Sequence, residues 1–173
     1  MTALRLFWMG SIQHMHMSEG VEWALHSCLN LAWAESGTAV TATKLAAFYG
    51  LPPAYLNKQL QALARAGIVT STSGPRGGFR LARALKEITL MDVVVAIEGP
   101  DPAFRCQQIL HNGPDADRTA DYTTTCAIAQ AMSRADLAWR HELANQTLAD
   151  IRATVESRSP ETPELTRDHL AKR

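Results

Sequence analysis

The sequence predicts a mainly α-helical fold with a small β-hairpin, and three observations carry that reading. Residues 18–66 show apolar positions at helical spacing, broken twice by glycine and turn residues. Two short β-prone runs, Gly67-Ile68-Val69-Thr70-Ser71 and Gly78-Phe79-Arg80-Leu81-Ala82, flank the turn formers Gly74, Pro75 and Gly77. A long apolar stripe then begins at Cys126. Three short helices, a basic hairpin and a long C-terminal helix make a winged helix-turn-helix domain followed by a dimerisation helix.

Each element follows from local chemistry. Ser18 is a plausible N-cap, and Val21, Ala24, Leu25, Cys28, Leu29, Ala32 and Trp33 form one face of an amphipathic helix ending near Glu35-Ser36-Gly37. Thr41 or Thr43 caps a second, short helix that turns Leu45, Ala46 and Tyr49 inward, and Gly50 stops it. Pro52 and Pro53 suit the first turn of a third helix, which runs to about Ala66 and buries Leu56, Leu60 and Leu63. After the hairpin, Thr89 caps a helix of Leu90, Val93, Val94 and Ile97 that closes at Gly99-Pro100. Residues 99–125 are rich in Gly, Pro, Asp and Thr and are expected to form a loop. From Cys126 the apolar residues Ile128, Met132, Ala135, Trp139, Leu143, Leu148, Ile151 and Val155 keep helical spacing. A single helix of about 30 residues would span ~45 Å, more than a small domain needs, so its stripe is expected to pair across a two-fold axis. Residues 158–173 are polar and are expected to be disordered.

Charge is distributed unevenly. The 173 residues hold 17 basic and 17 acidic side chains. Residues 41–90 carry seven basic residues against Glu87 alone, a charge of +6 that leaves −6 on the rest. Such a footprint fits one module facing a polyanion. On the third helix and hairpin, Lys58, Arg76 and Arg80 are candidates for phosphate contacts, and Tyr55 and Gln59 for base contacts. Lys44 and Arg65 complete the expected DNA-binding set, and the partner is double-stranded DNA with a palindromic operator.

Composition excludes several classes. No run approaches the ~18 consecutive apolar residues of a membrane span. The apolar patch near Leu6-Phe7-Trp8 is brief and lacks a convincing cleavage site, so a cytoplasmic protein is expected. Cys28, Cys106 and Cys126 make no disulfide framework. Cys28 shares the apolar face of its helix and reads as core, whereas Cys106 and Cys126 bound the polar loop. Glu22 and His26 stand one helical turn apart, close enough to meet one ion. Two thiolates, an imidazole and a carboxylate satisfy a tetrahedral zinc, or supply two ligands to each iron of a [2Fe–2S] cluster.

At these residues the chain resembles a known family. Residues 15–157 are similar to the IscR/NsrR-type winged-helix repressors, whose members bind iron–sulfur clusters or act as thiol sensors. The resemblance rests on Ser18-Glu19-Gly20-Val21-Glu22-Trp23-Ala24-Leu25, on Leu51-Pro52-Pro53-Ala54-Tyr55-Leu56, on Gly67-Ile68-Val69 and on Gly74 to Leu81. Glu87 to Val93 and Glu98-Gly99-Pro100 extend it. Many cluster-binding members carry three closely spaced loop cysteines, and this chain has two, which argues against a [4Fe–4S] cluster on three thiolates. The stretch Val21 to His26 and the two-cysteine loop are most similar to a redox-sensing [2Fe–2S] type of member. That similarity implies a [2Fe–2S] cluster ligated by Glu22 and His26 of one subunit and Cys106 and Cys126 of the other. Trp23, beside Glu22, then becomes a candidate for coupling redox change to movement.

The resulting expectation is a homodimeric transcriptional regulator, a repressor, switched by the redox state or presence of the cluster. A variant of it senses through zinc, mononuclear iron or bare thiols. A metal-dependent enzyme using Glu22 as base lacks any nucleophile or phosphate-loop motif. The expected organisation is an N-terminal extension over 1–14, a winged-helix domain over 15–98, a cluster-binding loop over 99–125, a dimerisation helix over 126–157 and a tail over 158–173.

Overall fold

The computed structural model describes residues 17–35, 37–74 and 77–172. The expected extension over 1–14 lies outside them. The chain runs α1 (Glu19–Trp33), α2 (Ala42–Tyr49), α3 (Pro53–Arg65), β1 (Val69–Thr72), β2 (Gly78–Leu81), α4 (Leu90–Glu98), α5 (Tyr122–Thr125), α6 (Ala127–Ala144), α7 (Leu148–Arg158) and α8 (Thr162–Ala171). The architecture is mainly helical with one two-stranded antiparallel sheet, as the sequence predicts. None of the described helices is long and apolar enough to cross a membrane.

The core lies where α1, α2, α3, α4 and the hairpin meet. Leu45, Leu56, Leu60, Leu63, Ile68, Ile88 and Val93 are fully buried there, together with Cys28. Burial pushes the Cys28 thiol up to about 12, so it stays protonated and packs as a small hydrophobe. Two joints fix the helix-turn-helix. The Thr41 hydroxyl accepts from the Lys44 amide at 3.2 Å, capping α2. Gly50 takes the left-handed conformation (φ 64°) that ends α2 and turns the chain into α3.

The hairpin pairs Val69 with Leu81 and Ser71 with Phe79. Phe79 also bridges to Val40 ahead of α2, which ties the hairpin root to the helix-turn-helix. That approach requires Gly78: a Cβ there would lie 2.6 Å from the Val40 carbonyl, at a φ of 148° that side chains disfavour.

Ser18 stands at the N-cap position of α1 but does not cap it. Its amide and hydroxyl both donate to Glu98 Oε1, at 2.9 and 2.6 Å, fastening the start of α1 to the end of α4.

Two sequence expectations are corrected. The helix from Cys126 is not continuous: it breaks at Asn145-Gln146-Thr147 into α6 and α7. Thr147 and Asp150 form a reciprocal capping box that starts α7. The break is also held from outside, because the Leu90 amide donates to the Gln146 carbonyl and the Leu148 amide to that of Ile88. Leu148 is thereby fully buried in the domain core, and Ile151 and Val155 are half-buried. The Trp33 indole donates to Glu156 at 2.8 Å, clasping α7 to α1. The stripe beyond residue 147 thus packs within its own chain.

The tail is the second correction. Residues 162–171 form a helix, with Pro163 in its first turn. Thr166 and Leu170, one turn apart, are buried as α8 packs against α1 and α2. The polar composition of residues 158–173 conceals two positions that suffice to dock a short helix.

Candidate nucleic-acid interface and metal-ligand residues

The surface of α3 is set by its helical phase. With Leu56, Leu60 and Leu63 fully buried, the opposite face presents Tyr55, Lys58, Gln61 and Arg65 to solvent. Tyr55 is 64% exposed. Gln59, expected among the base-reading residues, turns instead toward α1: a Cβ on Gly20 would sit 2.9 Å from its amide group. Gln61 takes its place on the outer face. Its spacing from Lys58 and Arg65, at three and four residues, is the signal that identifies it.

The other basic candidates are positioned unequally. Arg80 is exposed on β2 and donates from Nη1 to the Gly37 carbonyl at 3.1 Å, bracing the hairpin against the loop after α1. Lys44 is half-buried, and its amine donates to the Leu170 carbonyl of α8 at 2.7 Å. Arg76, at the hairpin tip, lies outside the described residues.

Glu22 and His26 are both exposed on α1, one turn apart. The His26 ring lies 5.4 Å from that of Tyr49, whose hydroxyl donates to the buried Asn30 at 3.1 Å. Tyr49 is therefore part-exposed rather than core, held over α1 by one hydrogen bond and one ring contact. Trp23 is half-buried against the domain core.

The cysteines belong to the segment that leads from α4 into α6. Cys126 occupies the N-cap position of α6, and its amide donates to the Tyr122 carbonyl at 3.2 Å. The Cys106 Sγ lies 3.9 Å from that same carbonyl and accepts from the Gln108 amide at 3.4 Å. The Tyr122 carbonyl thus meets the thiol of one cysteine and the backbone amide of the other, and each cysteine is half-buried. His111 packs edge-on to Tyr122 and meets the Ala120 carbonyl at 2.9 Å, closing the loop on itself.

Further along, Arg140 donates to the Pro100 and Asp101 carbonyls and pairs with Asp136, which in turn accepts from the Ala103 amide. These contacts fix the root of the loop beside α4. Between Cys126 and Arg140 lies about 20 Å of helix, at 1.5 Å per residue. The start of α1 is tied to the α4 end of this arrangement by the Ser18–Glu98 contact. Among the described residues, no three His, Cys, Asp or Glu side chains are grouped to hold a metal.

The family model of Rrf2, an iron-dependent transcriptional regulator, matches residues 17–154. The chain belongs to the Rrf2 family. Its likeness to IscR/NsrR-type repressors is borne out at the level of that family. Rv1287 of Mycobacterium tuberculosis (strain H37Rv), named as an HTH-type transcriptional regulator, is 34% identical over 140 residues, 79% of this chain and 81% of the relative. YffB of Lactococcus lactis subsp. lactis (strain IL1403), similarly named, is 31% identical over 139 residues, 79% of this chain and 86% of the relative. Among solved structures, T. potens IscR matches with a TM-score of 0.61 at 21% identity, over 83% of this chain and 90% of that one. CymR, the global cysteine regulator of B. subtilis, matches at 0.59 and 20% identity, over 80% and 97%. At such identities the structures share the fold. The Rrf2 match takes in Glu22, His26, both loop cysteines and the hairpin, and it ends before α8.

Proposed function

We propose that this Rrf2 chain is a homodimeric DNA-binding repressor whose operator affinity is set by a [2Fe–2S] cluster shared between subunits. The observation that carries the reading is that neither ligand pair is joined by a third His, Cys, Asp or Glu side chain among the described residues. The Cys106 thiol and the Cys126 amide both meet the Tyr122 carbonyl at the N-terminal end of α6, while Glu22 and His26 are exposed on α1. Each pair is half of a four-ligand site, so a second subunit is the natural source of the other half.

The donor set fits the group. Thiolates suit ferric iron, and a carboxylate and an imidazole one helical turn apart can meet a single metal. In this reading Cys106 and Cys126 of one subunit hold one iron, and Glu22 and His26 of the partner hold the other. When bound, the cluster supplies a one-electron couple whose potential is raised by the two non-thiolate ligands. His26 places an imidazole beside that couple, in contact with Tyr49. Trp23 follows Glu22 on α1 and packs on the core, so it is placed to pass a shift of Glu22 into the DNA-binding domain.

On the DNA side, α3 enters the major groove, with Tyr55 and Gln61 near base edges and Lys58 and Arg65 on phosphates. The hairpin carries Arg80 and Arg76 to the flanking backbone. The exposed Ile128 of α6, on one face with Met132, Ala135 and Trp139, forms the dimer contact, and two-fold symmetry matches a palindromic operator. This is the reading of a regulator rather than an enzyme.

A second reading has its own observation: both loop cysteines are free and only half-buried, so they can act as thiol sensors without a metal. Anaerobic purification separates the two. The cluster reading expects a coloured protein with two irons per chain and visible bands that bleach on reduction. A colourless protein that takes up no iron on reconstitution, or one that binds zinc alone, would overturn it.

A further inference from the structure

We propose that α8 is a clamp that holds the helix-turn-helix with Lys44 withdrawn from DNA. Lys44 lies on α2, the helix expected to cross the phosphate backbone. Its amine instead donates to the carbonyl of Leu170, at the C-terminal end of α8, where unsatisfied carbonyls favour a cation. An amine held there does not serve a phosphate.

The clamp is anchored at two further points. Thr166 and Leu170 are buried as α8 packs on α1 and α2, and the His169 ring lies edge-on to Phe48 of α2, 4.8 Å away. Phe48 in turn packs on Tyr49, which touches His26, so α8 is in ring-to-ring continuity with the Glu22–His26 face. The seam is not filled throughout. A cleft of about 450 Å³, lined among others by Gly37, Thr41, Lys44, Gly77, Arg167 and Leu170, opens between α8 and the hairpin root. A helix held by two buried side chains, one ring contact and one amine, beside an open cleft, is suited to release. It also lies beyond residues 17–154, which match the family model.

The inference rests on the DNA-binding reading, and the test separates the two. Affinity for a mixed-sequence DNA duplex is measured against salt for the full chain and for Leu170→Asp, Thr166→Asp, Lys44→Ala and Leu170→Asp/Lys44→Ala. Hydrogen exchange over residues 162–171 reports the docking of α8. Undocking by either aspartate is expected to raise exchange there, tighten binding roughly five-fold or more, and steepen the log–log salt slope by about one phosphate contact. Lys44→Ala alone is expected to leave the slope unchanged, and in the undocked background to cancel the gain. The clamp is overturned if the aspartate variants leave exchange unchanged, if undocking brings no gain in affinity, or if Lys44→Ala already lowers the slope in the parent. Loss of DNA binding by the parent itself would instead strike the DNA-binding reading.

Discussion

Cys106→Ala and Cys126→Ala are each expected to abolish cluster binding while leaving the fold intact. Both side chains sit in or beside a loop braced by its own hydrogen bonds, and neither belongs to the domain core. Their removal therefore costs little stability, yet a thiolate is hard to replace as a ligand to ferric iron. Glu22→Ala and His26→Ala remove harder ligands whose places water can fill, so labile clusters with altered spectra are expected instead. Cys28→Ala leaves the spectrum unchanged and costs only packing in the core. Visible absorption and iron content of anaerobically purified variants check the series. Full cluster occupancy in Cys106→Ala or Cys126→Ala would remove the loop cysteines from the site.

Ile128→Asp is expected to dissociate the dimer, whereas Leu137→Asp, on the opposite side of α6, is expected to leave it intact. Leu137 and Ile128 are 65% and 69% exposed in the single chain, so an aspartate at either leaves the protomer folded. In a dimer the aspartate at position 128 would face an apolar seam and stand unpaired. A loss of about 3 kcal/mol weakens association more than a hundred-fold. Operator affinity is expected to fall with it, because two half-sites must be held together. Light scattering that still shows a dimer in Ile128→Asp would move the interface elsewhere. Ile151 is a poorer probe, since α7 packs on its own α1 and a charge there disturbs the protomer.

Local signals made much of the fold legible. The Thr41 and Thr89 caps, the Gly50 stop and the spacing of Leu56, Leu60 and Leu63 each act within a few residues, and the structure places them as read. Cys28 was readable as core for the same reason, since its helical phase alone buries it. The break at Asn145-Gln146-Thr147 was half legible. The Thr147–Asp150 capping box stands in the sequence, but an unbroken apolar period ran across it. What decides the break is pairing with residues 88–90, a long-range contact that periodicity cannot carry.

Docking of α8 is of the same kind. Two buried positions and one lysine hold it, and composition over 158–173 reads only as polar. On the site, residue types and spacing picked out the two proposed ligand pairs, but their proposed meeting across subunits is not a local property of the chain. The outward face of α3 was legible save for Gln59, whose fate depends on the absence of a side chain at Gly20.

The central claim is that the two ligand pairs join across the dimer, and a mixed dimer tests it most directly. One subunit carries Glu22→Ala/His26→Ala and the other Cys106→Ala/Cys126→Ala, with different tags so that only the heterodimer is isolated. Cross-subunit ligation leaves one complete set of four ligands in that heterodimer and one empty set. The expected result is half the iron of the parent dimer with the parent's spectrum, while each double-mutant homodimer binds none of that species. A folded heterodimer that binds no cluster, measured beside a parent that does, would place all four ligands within one subunit and contradict the account.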